Sequence, residues 1–99
     1  MTTCIVLTTG EQYDSKHQQL ILELLEEKPD LILTHGINAE DWEEAIDMCC
    51  VMLEVNGHDS NAFCNTTAHP KEDLESVIAF AEQWCDLKGT PRDIKVIYA

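Results

Sequence analysis

The sequence predicts a small α/β domain with a four-stranded, mostly parallel sheet and helices on both faces. Two short runs that are apolar throughout, residues 4–7 and 31–33, are typical of strands buried on both sides. Amphipathic stretches of helical spacing alternate with the strand candidates, giving the order β-α-β-α-β-α-β with short connections. This alternation favours parallel pairing through right-handed crossovers. We expect one domain over residues 1–99 and prefer the strand order 2-1-3-4.

The first two helices are predicted from start and stop signals. Ser15 and Gln18 have the spacing of a capping box, and Pro29 ends the first helical pattern. The central helix is predicted over residues 38–57, with Asn38 as N-cap and Gly57 just past the end. Its inner face would carry Trp42, Ala45, Ile46, Cys49 and Leu53.

The second half of the chain continues the alternation. A third strand is predicted at residues 61–65, and this strand could instead run antiparallel. Pro70 fits the first position of a third helix, which Lys88 and Gly89 close. Apolar residues alternate with Lys95 in the last segment, as expected of a half-exposed edge strand.

The charge is strongly negative and unevenly distributed. The formal net charge is -13, and no Lys or Arg occurs between Lys28 and Lys71. This balance argues against direct binding of nucleic acid or an anionic membrane, and it favours a basic protein partner, although solubility alone is the simpler explanation. The predicted contact residues are Glu40, Asp41, Glu43 and Glu44 with Trp42 as an anchor, joined by Glu23, Glu26 and Glu27 if the first two helices are neighbours.

No motif predicts a cofactor, a metal site or a particular reaction. The five cysteines lie in apolar segments without a Cys-x-x-Cys pattern, which favours reduced, buried thiols in a cytosolic protein. The neighbours Cys49 and Cys50 leave a redox or soft-metal site open as an alternative. The four histidines have no metal-ligand spacing, and no Gly-rich phosphate loop follows the first strand. We also expect no signal peptide and no membrane span.

Threonines and histidines recur where the first three strands end. In an open parallel sheet, Thr9, His35, Thr67 and His69 would converge at the carboxyl edge, where small ligands bind. This crevice is the alternative functional site, and the same residue types could simply turn the chain. Asp47 would join the crevice if it is semi-buried, with His35 or a threonine hydroxyl as its partner.

Two stretches, residues 36–47 and 66–80, resemble a family of small bacterial proteins of unknown function. The resemblance singles out Trp42, Asp47, Thr67 and His69 and implies no activity. In size and charge, the chain also resembles bacterial toxin-immunity proteins. That resemblance implies a non-enzymatic protein that neutralises a basic, nuclease-type toxin by covering its active site. An oligomeric scaffold using Met48, Met52 and Val55 is a further alternative.

Overall fold

A computed structural model describes residues 3–55 and 65–99 of the chain. The strands are β1 (Cys4–Thr8), β2 (Leu31–His35), β3 (Asn65–His69) and β4 (Ile94–Tyr98). The helices are α1 (Gln18–Glu26), α2 (Ala39–Val55) and α3 (Leu74–Lys88), and a single 3-10 turn, Ser15–His17, precedes α1. Within these described ranges, no helix has the length and apolar character needed to cross a bilayer.

The four strands form one parallel sheet in the order β3-β2-β1-β4, which confirms the predicted fold class. The preferred order 2-1-3-4 is wrong, as is the antiparallel alternative for the third strand. That order would put β2 at an edge, yet residues 31–34 are all buried. The more polar strands β3 and β4 take the edges instead, with Asn65, Lys95 and Tyr98 exposed.

The connections explain why the helices divide between the two faces. The chain steps from β1 to β2 to β3 in one direction and then returns past β1 to β4. A right-handed crossover that reverses direction must pass over the opposite face of the sheet. Accordingly, α1 and α2 cover one face and α3 covers the other.

Side chains of β1 and β2 alternate between two separate cores. Ile5, Leu7 and Ile32 pack against α1 and α2. The other core holds Cys4, Val6, Leu31 and Leu33 against Val77, Ala81 and Cys85 of α3. The continuous apolar runs therefore reflect burial on both sides of the sheet.

Three predicted boundaries change. The third helix begins at Leu74 with Asp73 as its N-cap, where Pro70 was expected at the first position. The first helical segment begins with a 3-10 turn before α1, so its N-cap is Asp14 and not Ser15. His17 completes the capping box. The third strand begins at Asn65, where residues 61–65 were expected; residues 61–64 and Gly57 lie outside the described part of the chain. The third strand therefore consists largely of residues 66–69, which were expected to follow it.

Trp42 is fully buried at the start of α2. Its indole N–H donates to the Glu11 carbonyl over 2.9 Å, and the ring meets Tyr13 edge-on with centroids 5.4 Å apart. The predicted position of Trp42 on the inner face of the helix is therefore confirmed, and the alternative of a partly exposed anchor for a partner is wrong. Trp42 instead fixes the loop after β1 against α2, because its ring packs in the core while its polar atom satisfies loop backbone.

We expect Trp42→Phe to lower the free energy of unfolding by about 2–3 kcal/mol, because it removes buried volume and leaves the Glu11 carbonyl without its donor. Trp84→Phe is the matched control, since Trp84 is only half-buried on α3. The free energy of unfolding should fall by less than about 1 kcal/mol in this control variant. Urea unfolding followed by far-ultraviolet circular dichroism measures both. Equal losses in the two variants would contradict this account of Trp42.

Candidate functional site

The acidic residues of α2 form a surface at the helix start. Glu40, Asp41 and Glu44 are exposed, and Glu43 is half-buried. The first turn is a favourable place for carboxylates because the helix dipole is positive there. We call Glu40, Asp41, Glu43 and Glu44 the acidic face.

Among residues 3–55 and 65–99, no Lys, Arg or His forms an ion pair with the carboxylates of the acidic face. Partial burial, then the charges of Asp47 and Glu40, raise the pKa of the Glu43 carboxyl. Among the described residues, the ion pairs lie elsewhere: they join Glu11 to Lys16 and His17, Glu27 to Lys95, Glu72 to His69, and Glu82 and Asp86 to Arg92. The negative potential of the acidic face is therefore not neutralised by salt bridges in the described structure.

The acids of α1 do not join the acidic face, although α1 and α2 are neighbours. Both helices run antiparallel to the strands, as βαβ crossovers require. The end of α1 thus lies at the amino edge of the sheet, where Glu27 meets Lys95 over 3.2 Å. The start of α2 lies at the carboxyl edge. Glu23, Glu26 and Glu27 are therefore removed from the predicted contact surface.

An apolar groove continues from the acidic face along α2. It has a volume of about 280 Å³, and Met48 and Met52 line it together with Tyr13 and Ala45. Asp41 and Glu44 also line it, and an adjoining depression adds Val51 and Asp47. We call this feature the methionine groove. Sequence reasoning noted the methionines only as oligomer contacts and did not connect them with the acids.

The strand ends do bring the predicted crevice residues together. His35 and His69 are register partners on adjacent strands, and Thr8 is the partner of His35 on β1. The His35 ring joins the Thr8 hydroxyl at Nδ1 over 2.8 Å and the Glu72 carbonyl at Nε2 over 2.9 Å. The His69 ring joins the Thr67 hydroxyl at Nε2 over 2.8 Å and the Glu72 carboxylate at Nδ1 over 2.9 Å.

Through these contacts, the two histidines connect the sheet to the start of α3. All four ring nitrogens are already hydrogen-bonded, and His69 is buried beside Phe80. Thr8 and Glu72 were missed by sequence reasoning. Residue parity along β1 could have found Thr8, because it lies on the same face as Val6 and His35.

Two predicted crevice residues serve other purposes. The Thr9 hydroxyl donates to the His35 carbonyl over 3.1 Å, so it supports the backbone turn at the end of β2. Gly36 follows with φ +120, and an added Cβ would lie 2.4 Å from the Thr9 carbonyl oxygen.

Asp47 is exposed on α2 and accepts from the Thr66 hydroxyl over 2.8 Å. It belongs to the other face of the sheet, because Thr66 points opposite to Thr67 and His69.

A cleft of about 330 Å³ lies between the loops that follow β2 and β3. It is lined by Ile37, Asn38, Glu40, Asp41, Pro70 and Lys71. One of these loops leads to α2 and the other to α3, on opposite faces of the sheet. The cleft thus lies at the carboxyl edge of the sheet, but away from the topological switch point, which in the order β3-β2-β1-β4 falls between β1 and β4.

The described residues form no site that is arranged for metal binding or thiol chemistry. Within residues 3–55 and 65–99, no three His, Cys, Asp or Glu side chains are grouped to hold a metal ion. Cys4, Cys49, Cys50 and Cys85 are all buried. Burial raises the pKa of Cys49, and the charge of Cys50 adds to this effect. A raised thiol pKa disfavours the reactive thiolate.

A family model described as "Domain of unknown function (DUF7684)" matches residues 1–93. The chain belongs to this family. The match confirms the resemblance to a family of unknown function. No curated protein and no solved structure matches the chain significantly.

In this DUF7684 domain, we expect His35 and His69 to be opposite neutral tautomers. A backbone carbonyl only accepts, so His35 must carry its proton on Nε2; the Glu72 carboxylate likewise requires the proton of His69 on Nδ1. Nitrogen-15 NMR of the imidazole rings in mildly alkaline buffer distinguishes the tautomers. His17 is the internal reference, because its Nδ1 accepts from the Asp14 N–H. Finding one tautomer in both rings would contradict this hydrogen-bond network.

We expect stability to fall at alkaline pH because of Cys4. Burial, then its contact with the Cys85 thiol at 3.5 Å and the Asp30 charge, raise the pKa of Cys4 from 9.0 to about 12. The fold thus favours the protonated thiol: its contribution is complete below pH 9 and is lost as the pH rises towards 12. The corresponding slope is about -1.4 kcal/mol of unfolding free energy per pH unit in this window.

Urea unfolding between pH 8 and 10.5 measures that slope, with Cys4→Ala as the control. The variant is expected to be less stable at pH 8 but to lose stability less steeply above pH 9. Parallel curves for the two proteins would show that Cys4 does not retain its proton as described.

Proposed function

We propose that this domain is an interaction module that binds a basic protein partner through the acidic face of α2. The observation that carries the proposal is the separation of charges. Described ion pairs use acids of other elements, and Glu40, Asp41 and Glu44 remain exposed without a cation from the described residues. A patch of this kind attracts a cationic surface and accelerates its association.

The raised pKa of Glu43 supports the same proposal. Burial is the largest cause of this raised pKa, and the charges of Asp47 and Glu40 add to it, so part of the shift comes from repulsion among the acids of α2 in the free domain. A Lys or Arg placed over them would relieve this repulsion. Binding free energy would then come in part from the removal of an unfavourable interaction, in addition to the new contacts.

The more specific form that we propose is an immunity protein for a basic, nuclease-type toxin. Active sites that bind phosphates are basic, and a row of carboxylates can occupy such a site in place of the nucleic-acid backbone. The helix scaffold suits this purpose, because it holds the acids at fixed spacing. The buried cysteines fit a protein that works in a reducing, cytosolic compartment.

The first test compares the wild-type protein with one double variant that carries both Asp41→Asn and Glu44→Gln. Tagged protein is used for affinity capture from the native host, and association with the purified partner is then followed by stopped flow. We expect a basic protein at 1:1 stoichiometry, with association slowed by about 10-fold or more in the variant and a weaker dependence on salt. Inhibition of the partner's nuclease activity would test the immunity proposal directly.

The matched control is Glu75→Gln with Glu82→Gln, which removes the same charge from α3 on the opposite face. Glu82 makes only an exposed ion pair with Arg92, so its loss should leave the fold intact. Association of the control should equal that of wild type. If both double variants slow association equally, only net charge matters and the acidic face is not the contact. If the captured partner has no basic character, the proposal fails.

A further inference from the structure

The methionine groove carries apolar surface that the described residues leave exposed. Met48, Val51 and Met52 are 60%, 57% and 46% exposed on α2. They stand at positions i, i+3 and i+4, so they form one continuous strip along the helix. Leu53, on the buried side of α2, packs into the core instead. Large apolar side chains grouped on one helix face are typical of a surface that another element covers.

Carboxylates stand beside this strip, which indicates the charge of what covers it. Asp41 and Glu44 line the groove at its start, and Asp47 lines the adjoining depression. A second copy of this chain is disfavoured as the occupant, because each copy carries a formal net charge of -13 and the contact would gather the acids of both copies around one strip. A segment with an apolar stripe and basic flanks matches both features.

The length of the groove indicates the form of that segment. From Asp41 to Met52 the helix rises about 16 Å, which is about three turns. An apolar stripe at i, i+3/i+4 and i+7 on a helix spans a similar distance. Methionine side chains are flexible and polarizable, so they adapt to the apolar side chains of such a helix.

We infer that the methionine groove binds a basic amphipathic α-helix of the partner, with its apolar stripe on Met48 and Met52 and its Lys or Arg residues on Asp41, Glu44 and Asp47. This inference rests on the proposed function for the basic character of the partner. It adds the binding element and an apolar contact that the acidic face alone does not require. The carboxylates set the rate of encounter, and the methionines set the lifetime of the complex.

The test uses a probe of defined chemistry: an 18-residue, end-capped peptide of Leu and Lys, with Leu at helical spacing on one face. A scrambled peptide of the same composition has the same charge without the stripe. Carbon-13 labelling of the methionine methyl groups reports the site, with the resonances assigned from Met48→Gln and Met52→Gln. We expect the amphipathic peptide to shift both methyl resonances and to bind at least 10-fold more tightly than the scrambled one.

Two variants separate the groove from the acidic face. Met48→Gln with Met52→Gln keeps side-chain length and helix preference, and it should weaken the amphipathic peptide by 10-fold or more with little change in association rate. Leu87→Gln is the control, because Leu87 is an apolar residue on α3 that is even more exposed than the methionines, at 86%. It should bind the peptide as wild type does. Thermal unfolding by circular dichroism verifies that all three proteins fold.

Several outcomes would overturn the inference. If the two peptides bind equally and the methionine methyl resonances do not shift, binding is due to the charge of the acidic face alone, and the groove is not a binding site. A dimer in sedimentation velocity that Met48→Gln abolishes would make a second copy the occupant. If the natural partner depends on Asp41 and Glu44 but not on the methionines, the proposed function survives and this inference fails. If it depends on neither, both fail.

Discussion

The structure depends on the need to cover β1 and β2 on both faces. Their side chains are apolar on either side, so one layer of helices cannot bury them. The chain meets this requirement by taking α1 and α2 over one face and α3 over the other. Right-handed crossovers then fix the strand order, since a change of face accompanies a change of direction. The more polar strands β3 and β4 are left for the edges.

The same arrangement determines where polar groups meet. Parallel strands end at one edge, so Thr8, His35 and His69 fall into one row, and the chain that enters α3 passes across it. Glu72 bonds to both histidines there through its carbonyl and its carboxylate. This use of both rings favours a bracing role, because a ligand would have to displace existing hydrogen bonds. The α2 surface differs, since its acids and methionines are exposed.

Much of this fold could be predicted from local pattern, and the errors share a cause. Apolar runs and helical spacing located β1, β2 and the helices, while the convergence of His35 with His69 followed from parallel strand ends. Periodicity defines faces but not neighbours, so the order of the strands was missed. The same limit left Glu27 on the wrong surface, because its pairing with Lys95 depends on which strand borders β1. Helical spacing predicted Trp42 on the inner face, but its hydrogen bond to the Glu11 carbonyl could not be predicted, because that bond joins segments far apart in the sequence.

Asp41 connects the two open features of the carboxyl edge. It lines the methionine groove and also the cleft between the loops after β2 and β3. Glu44 lines the groove, while Glu40 lines the cleft beside Lys71. A cation held over Asp41 therefore changes the potential in both places, whereas changes at Glu44 or Glu40 act chiefly on one. The start of α2 is consequently a single electrostatic unit, and a partner in the groove would alter the charge that any ligand meets in the cleft.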